Sequence, residues 1–264
     1  MNTSFDSQQE KDFLNSLVVD YKDASPYSRI KKGILLQLVD EFLEDAKNKS
    51  ALQLGCANGY ETEMLALRFR DLLVVDGSSV FIERAQTAKQ YRNVKFKLSL
   101  FEDLNSNTHS EKYDYIFCNY VLEHVFETSR ILRNMHSLLK SNGFLFVVVP
   151  NAQAFSRQLA LQMGLIERLE DLTDNDRRHG HRRVYKKESI LKDVIDRGFK
   201  VHAIRGVVFK ILADFQLNKC LNEGFLEEKH ILAMQELAQG DNMHFSDSFF
   251  LALKPVLENM STDQ

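Results

Sequence analysis

Residues 52–61, LQLGCANGYE, place an apolar run against a bend that holds two glycines, Gly55 and Gly59, and then resume as the charged, helix-like stretch YETEMLALRFR. A turn of this kind between a strand and a helix lets the backbone come close to a ligand, because glycine offers no side chain and the first N–H groups of a helix have no partner of their own. The next run, LLVVDG (72–77), is again a short β-branched strand; it ends in Asp76, and SVFIERAQTAKQY follows as a helix with Ser78 or Ser79 as its cap. An acidic residue at the end of the second strand is placed to accept hydrogen bonds from both ribose hydroxyls of an adenosine-type ligand. A dinucleotide fingerprint wants glycines at 55, 57 and 60; the chain has Gly55, Ala57 and Tyr60, so the third is missing.

The alternation continues outward. VKFKLS (94–99) reads as a third strand and YDYIFCNYV (113–121) as a buried one. LEHVFETSRILRNMHSLLKSNG reads as an amphipathic helix closed by Gly143, and FLFVVVP (144–150) as a fully apolar strand stopped by Pro150. Strands alternating with helices through 51–150 imply right-handed crossovers and a doubly wound, parallel α/β sheet, whose ligands sit at the carboxyl ends of the strands. Ahead of it, 30–47 has helical spacing of apolar residues; the expected architecture has a helical cap over 1–50 and the α/β domain over 51–255. After Pro150 the rhythm changes. Residues 151–185 hold a helical stretch and the charged loop EDLTDNDRRHGHRRVYKK, read as a lid; 207–246 form a second insertion, SDSFFLALKP a last strand, and 256–264 a polar, frayed tail.

Composition bounds the function. With 44% hydrophobic and 27% charged residues, 3 Pro and 11 Gly, the 264-residue chain has the make-up of an ordinary globular enzyme-sized domain. Cys56, Cys118 and Cys220 lie far apart with no paired spacing, which suits a reducing compartment; Cys56 and Cys118 read as packing residues. The N-terminal MNTSFDSQQEKDFLNSL lacks the basic start and apolar core of a signal peptide, so the expected location is cytoplasmic with no membrane partner. A net charge of −3 disfavours a nucleic-acid partner, because only 177–187 supplies a basic stretch.

The order of these segments resembles the class I S-adenosylmethionine-dependent methyltransferases. QLGCANG is similar to the family's first motif, Asp76 stands at its second-strand acid, SLFEDL at its third-strand region, YDYIFCNYVLEHV at its fourth strand and LLKSNGFLFVVVPN at its fifth. The resemblance covers roughly residues 30–206 and implies a Rossmann-like, seven-stranded, mostly parallel sheet, with S-adenosylmethionine as cofactor and S-adenosylhomocysteine as product. By it, Gly55, Ala57 and Gly59 lie against the methionine and ribose portions and Asp76 holds the ribose, with Gly77 and Ser78 beside it. Phe101 and Glu102 flank the adenine, and Asn119 lies near the sulfonium. Two positions depart from the pattern: Gln53 stands where the family has an acid facing the cofactor's amino group, and Ala57 replaces the middle glycine, which suits a negative φ.

Methyl transfer is an in-line displacement at an already activated carbon, so the protein has mainly to position the two reactants and exclude water. A hydroxyl acceptor gains from a nearby base, and the candidates are His124, His179 and His181. The ordinary explanations are a histidine serving a helix start and a solvated basic loop. HGH lacks further clustered ligands in the sequence, so no metal is expected there. Arg178, Arg182 and Tyr185 in the lid, with Tyr27 and Arg29 ahead of the core, are the expected acceptor contacts, guanidinium groups suiting phosphate or carboxylate. The reading is therefore a methyltransferase acting on a hydroxyl of a small anionic or sugar-type acceptor, phosphorylated or nucleotide-linked, similar to enzymes that decorate bacterial surface polysaccharides. N-methylation of an amino sugar or metabolite, a non-catalytic binding module and a dehydrogenase remain the alternatives.

Overall fold

Strands covered on both faces need apolar side chains on both, and the central strands meet that demand: Leu52, Leu54, Val74, Val75, Ile116, Phe117, Val147 and Val148 are all buried. The computed structural model describes residues 6–19, 25–88 and 90–257. Its strands are β1 (Ser50–Leu54), β2 (Asp71–Asp76), β3 (Val94–Leu98), β4 (Tyr113–Asn119), β5 (Leu139–Pro150), β6 (Phe199–Val207) and β7 (Ser248–Pro255). They make a seven-stranded sheet in the order β3-β2-β1-β4-β5-β7-β6. Every pairing is parallel except those of β7, which runs antiparallel to both β5 and β6. Strand order reverses between β1 and β4, and the crevice beyond their carboxyl ends is the place such a sheet offers a ligand.

The helices are α1 (Ser7–Ser16), α2 (Pro26–Asp40), α3 (Tyr60–Ala66), α4 (Ser79–Ala88), α5 (Thr128–Leu138), α6 (Phe155–Gln162), α7 (Asp174–Arg178), α8 (Lys187–Ile195), α9 (Asp214–Asn222) and α10 (Glu228–Leu237). Among the described residues no helix is long and apolar enough to cross a membrane. On one face of the sheet Phe69, Tyr115, Phe117, Phe146 and Phe250 pack beneath α2; on the other Ile116, Val147 and Leu251 meet Ile131, Met135 and Val194 from α5 and α8. The segment 151–185 carries α6 and α7, which an Arg157–Asp176 ion pair at 3.1 Å joins. Within 207–246, α9 and α10 pack on α2. The expected polar tail lies, from 258 onward, outside the described residues.

Three boundaries differ from the sequence reading. The helix expected over 30–47 runs from Pro26 to Asp40, because Ser25 accepts the Ser28 N–H and Pro26 presets the first turn. The helix expected from Leu122 begins at Thr128, since the carbonyls that would start it are taken. Arg183 donates to those of Leu122, Val125 and Phe126, and Arg182 to that of His124. That helix also stops at Leu138 rather than Gly143, because Leu139 already pairs with Tyr113. Gly143 is needed there for close approach: a Cβ on it would come within 2.6 Å of the Asp114 carbonyl oxygen.

Candidate functional site

The turn after β1 is built on left-handed backbone. Gly55 has φ 77°, Ala57 43° and Gly59 78°. Ala57 thus adopts the conformation glycine favours, not the negative φ expected from its side chain, at a cost of about 1–2 kcal/mol. Gly59 supplies the close helix approach for which the missing glycine at 60 was sought: a Cβ on it would stand 3.0 Å from Ala85 Cα in α4. Gln53 does not face outward. It is buried, its Nε2 donates to the Gly55 carbonyl at 2.9 Å, and its Oε1 accepts from the Thr62 hydroxyl at 2.8 Å. The amide therefore braces the turn from beneath.

Asp76 closes the turn from the side. Its carboxylate accepts the backbone N–H of Cys56 at 2.9 Å and of Ser78 at 2.8 Å. Burial raises its pKa, and these amides work in the opposite direction. Cys56 and Cys118 are buried with their thiols pushed far up by desolvation, so neither is a nucleophile. On the far wall Asn119, at the end of β4, donates from Nδ2 to Glu61 at 2.7 Å, and its buried Oδ1 has no hydrogen-bond partner. A buried acceptor without a donor, across from a carboxylate at a strand end, suits a ligand that brings amine and hydroxyl donors. Burial raises the Glu61 pKa, while Lys32 and Asn119 lower it.

The third-strand region lies on the same side. Glu102 is buried, its pKa raised by desolvation, and the backbone N–H groups of Phe126 and Glu127 donate to it. Phe101 is partly buried beside it. Over this end of the sheet lies α1, which the sequence reading did not single out. Asp6 caps it by accepting the N–H groups of Gln8 and Gln9. Leu14 occupies the space beside Gly77, where a Cβ would lie 2.5 Å from it, and the Ser78 hydroxyl donates to Asn15 at 2.8 Å. Leu17 and Phe13 reach Gly180 in the same way. The signal was present in the sequence as Asp6 ahead of SQQE.

Tyr27 is buried on α2 and its hydroxyl has no partner. The Lys31 and Lys210 ammonium groups stand 5.3 and 5.4 Å from its ring centre, and both lysines pair with Asp214 and Asp247. Tyr120, with φ 55°, donates to Ser248 and completes this group beside the end of β4. Arg29 is exposed.

The histidines divide. His179 is the C-terminal cap of α7, its Nδ1 2.8 Å from the Asn175 carbonyl. His124 and His181 instead stand edge to face with ring centres 4.8 Å apart, and Glu123 joins them, the ligand atoms of all three lying within 4.8 Å of one another. Glu123 is fully buried, both its oxygens lack hydrogen-bond partners, and desolvation pushes its carboxyl up to about 7 against the pull of His181. His124 is pulled well below its ordinary value by desolvation and by facing His181, so it is neutral at pH 7. Asp176 stands 3.2 Å from His181 Nδ1. Against burial, its partners His181 and Thr173 hold it well below the usual carboxylate range.

Arg182, Arg183 and Tyr185 of the lid are turned inward. Arg182 binds Glu10 and the His124 carbonyl, Arg183 binds three carbonyls and Thr128, and the Tyr185 hydroxyl donates to the Leu122 carbonyl. Arg178 is exposed.

The profile of a family described as a methyltransferase domain matches residues 27–204. Among characterised proteins, the chain is 30% identical over 124 residues to the malonyl-[acyl-carrier protein] O-methyltransferase of Bacillus cereus, a match covering 45% of each chain. It is 26% identical over 184 residues to the ubiquinone biosynthesis O-methyltransferase of Glaesserella parasuis, covering 67% of this chain and 77% of that one. Among solved structures, the N-methyltransferase NodS of Bradyrhizobium japonicum in complex with S-adenosylhomocysteine superposes with a TM-score of 0.57 at 16% identity, covering 96% of this chain and 100% of the other. That likeness is one of fold.

Proposed function

We propose that this chain, which belongs to the methyltransferase-domain family, is an S-adenosylmethionine-dependent methyltransferase that methylates a hydroxyl of a small acceptor held between the glycine turn and the Glu123, His124 and His181 cluster. The observation that carries this reading is the position of that cluster: Val121 lies against Gly55, with its Cγ2 3.6 Å from where a Cβ would be, and Glu123 and His124 follow two and three residues later. The names of the two characterised relatives, both O-methyltransferases, support a transfer to oxygen.

When bound, the sulfonium cofactor supplies a methyl carbon already activated for in-line displacement. The chain's own groups provide the rest. Asp76 and the turn 55–59 hold the ribose end, and Asn119 Oδ1 accepts from the amino end. A ring nitrogen of the histidine pair takes the proton of the acceptor hydroxyl; His124, whose protonated form burial disfavours, is the weaker base of the two. The helix α1 and the lid, joined through Glu10 and Arg182, keep water out.

The resemblance to polysaccharide-modifying enzymes supports a sugar-type acceptor. Phosphate is less well served, because Arg182 and Arg183 spend their donors on Glu10 and on carbonyls. Lys31 and Lys210, though near the β4 end, are balanced by Asp214 and Asp247. The test is transfer of labelled methyl from S-adenosylmethionine to a panel of free sugars, nucleotide sugars, phenols and amines, with the product bond identified by mass spectrometry. A methyl ether on a hydroxyl acceptor is the expected product. Labelling of amines alone would overturn the oxygen assignment.

A further inference from the structure

Glu123 and His124 follow β4, whereas His181 follows α7, more than fifty residues later; the fold brings them to one point. Glu123 is fully buried and neither of its carboxylate oxygens has a hydrogen-bond partner. A buried carboxylate in that state calls for either a proton or a cation. The two rings are held from behind. Asp176, itself fixed by the Thr173 N–H and hydroxyl and by Arg157, stands 3.2 Å from His181 Nδ1, an ion-pair distance, although that nitrogen has no hydrogen-bond partner. The His124 ring bonds to the backbone at Gly180. Imidazoles that ligate metals commonly carry a carboxylate or carbonyl on the other ring nitrogen, the arrangement His124 has at Gly180 and His181 approaches at Asp176.

We propose that Glu123, His124 and His181 form a binding site for a divalent transition-metal cation of the zinc type, open on the side of the cleft. Two imidazoles and one carboxylate are a three-ligand set that leaves room for water or substrate, and the imidazoles select against magnesium and calcium. Ligand atoms about 2.1 Å from a shared cation lie about 3.4 Å apart, so the cluster contracts by about 1 Å on loading. On the reading that the acceptor is a hydroxyl, the cation would replace the histidine base, since the ligating nitrogens have no lone pair left for a proton: it would bind that oxygen and lower its proton affinity, the proton leaving to solvent. That role rests on the proposed function; cation binding does not.

The full chain, stripped with a chelator and dialysed, is titrated with zinc chloride by calorimetry and with cobalt chloride by visible absorption. A single saturable site is expected, with the d–d bands of four- or five-coordinate cobalt. Glu123→Gln and His181→Asn should each weaken binding at least tenfold, while thermal melts of the cation-free proteins report that they fold; if one variant fails to fold, the other carries the comparison. No saturable binding, or affinity unchanged in a folded variant, overturns the site. S-adenosylmethionine binding is measured on the same samples. Cofactor binding without the cation sinks only the metal site, whereas cation binding without the cofactor leaves the site standing and removes the methyltransferase reading.

Discussion

Arg182 ties Glu10 of the N-terminal helix to the backbone at His124: its guanidinium donates to the Glu10 carboxylate at 2.7 and 2.9 Å and, through Nε, to the His124 carbonyl at 2.6 Å. The contact is a latch between α1, which covers Gly77 and Ser78, and the segment that carries the histidines. Arg182→Met keeps the stem and removes the fork. The pair is partly buried, so the expected loss of cofactor affinity is about 1 kcal/mol, or roughly fivefold, expressed as faster dissociation. Stopped-flow release of S-adenosylhomocysteine measures it, and an unchanged rate would free α1 of this role.

Gln53 is the position where the family resemblance implied contact with the cofactor, and the structure instead spends its amide on the Gly55 carbonyl and the Thr62 hydroxyl. Gln53→Ala leaves a buried hydroxyl and a carbonyl without partners. A loss of about 1–3 kcal/mol in folding stability is expected, read by denaturant titration. A stability loss within error would show that the brace contributes nothing.

Glu123 gives the protein a distinctive pH dependence in the absence of cations. Its carboxyl is raised by burial to about 7, so the folded chain holds that proton more tightly than the unfolded chain. The stabilisation is fully present below the unfolded value of about 4.3 and is lost as pH rises toward 7, a difference of about 4 kcal/mol. His124, lowered in the fold chiefly by burial, contributes the opposite slope in both proteins. With chelator present, the stability of wild type relative to Glu123→Gln should therefore fall between about pH 4.5 and pH 7.5. Parallel curves would mean that Glu123 is not held as a buried acid.

The sheet was legible because its central strands are short, apolar on both faces and punctuated: Asp76 and Pro150 end strands in the structure as they do in the pattern, whereas β4 stops at Asn119, two residues before the expected end at Val121. What stayed hidden depended on side chains distant in sequence. The start of the helix before α5's first turn was lost because Arg182 and Arg183, some sixty residues on, take the carbonyls of 122–126. HGH read as ligand-poor for the same reason, since Glu123 and His124 join His181 only through the fold. The lid arginines looked ready for an anionic acceptor because spacing cannot show that Glu10 would claim one of them. Ala57 shows the converse: its residue type argued for a negative φ, and the demands of the turn around Asp76 override it.

The central claim is that the turn 55–59 and Asp76 together hold the cofactor. Calorimetry of S-adenosylmethionine, S-adenosylhomocysteine and NAD against the wild-type chain and Asp76→Ala tests it most directly. Wild type should bind both sulfur ligands and not NAD, and Asp76→Ala should bind them at least about tenfold more weakly, the loss of charge-assisted hydrogen bonds to the ribose. Equal affinity in the two proteins, or binding of NAD in place of the sulfur ligands, would contradict the account.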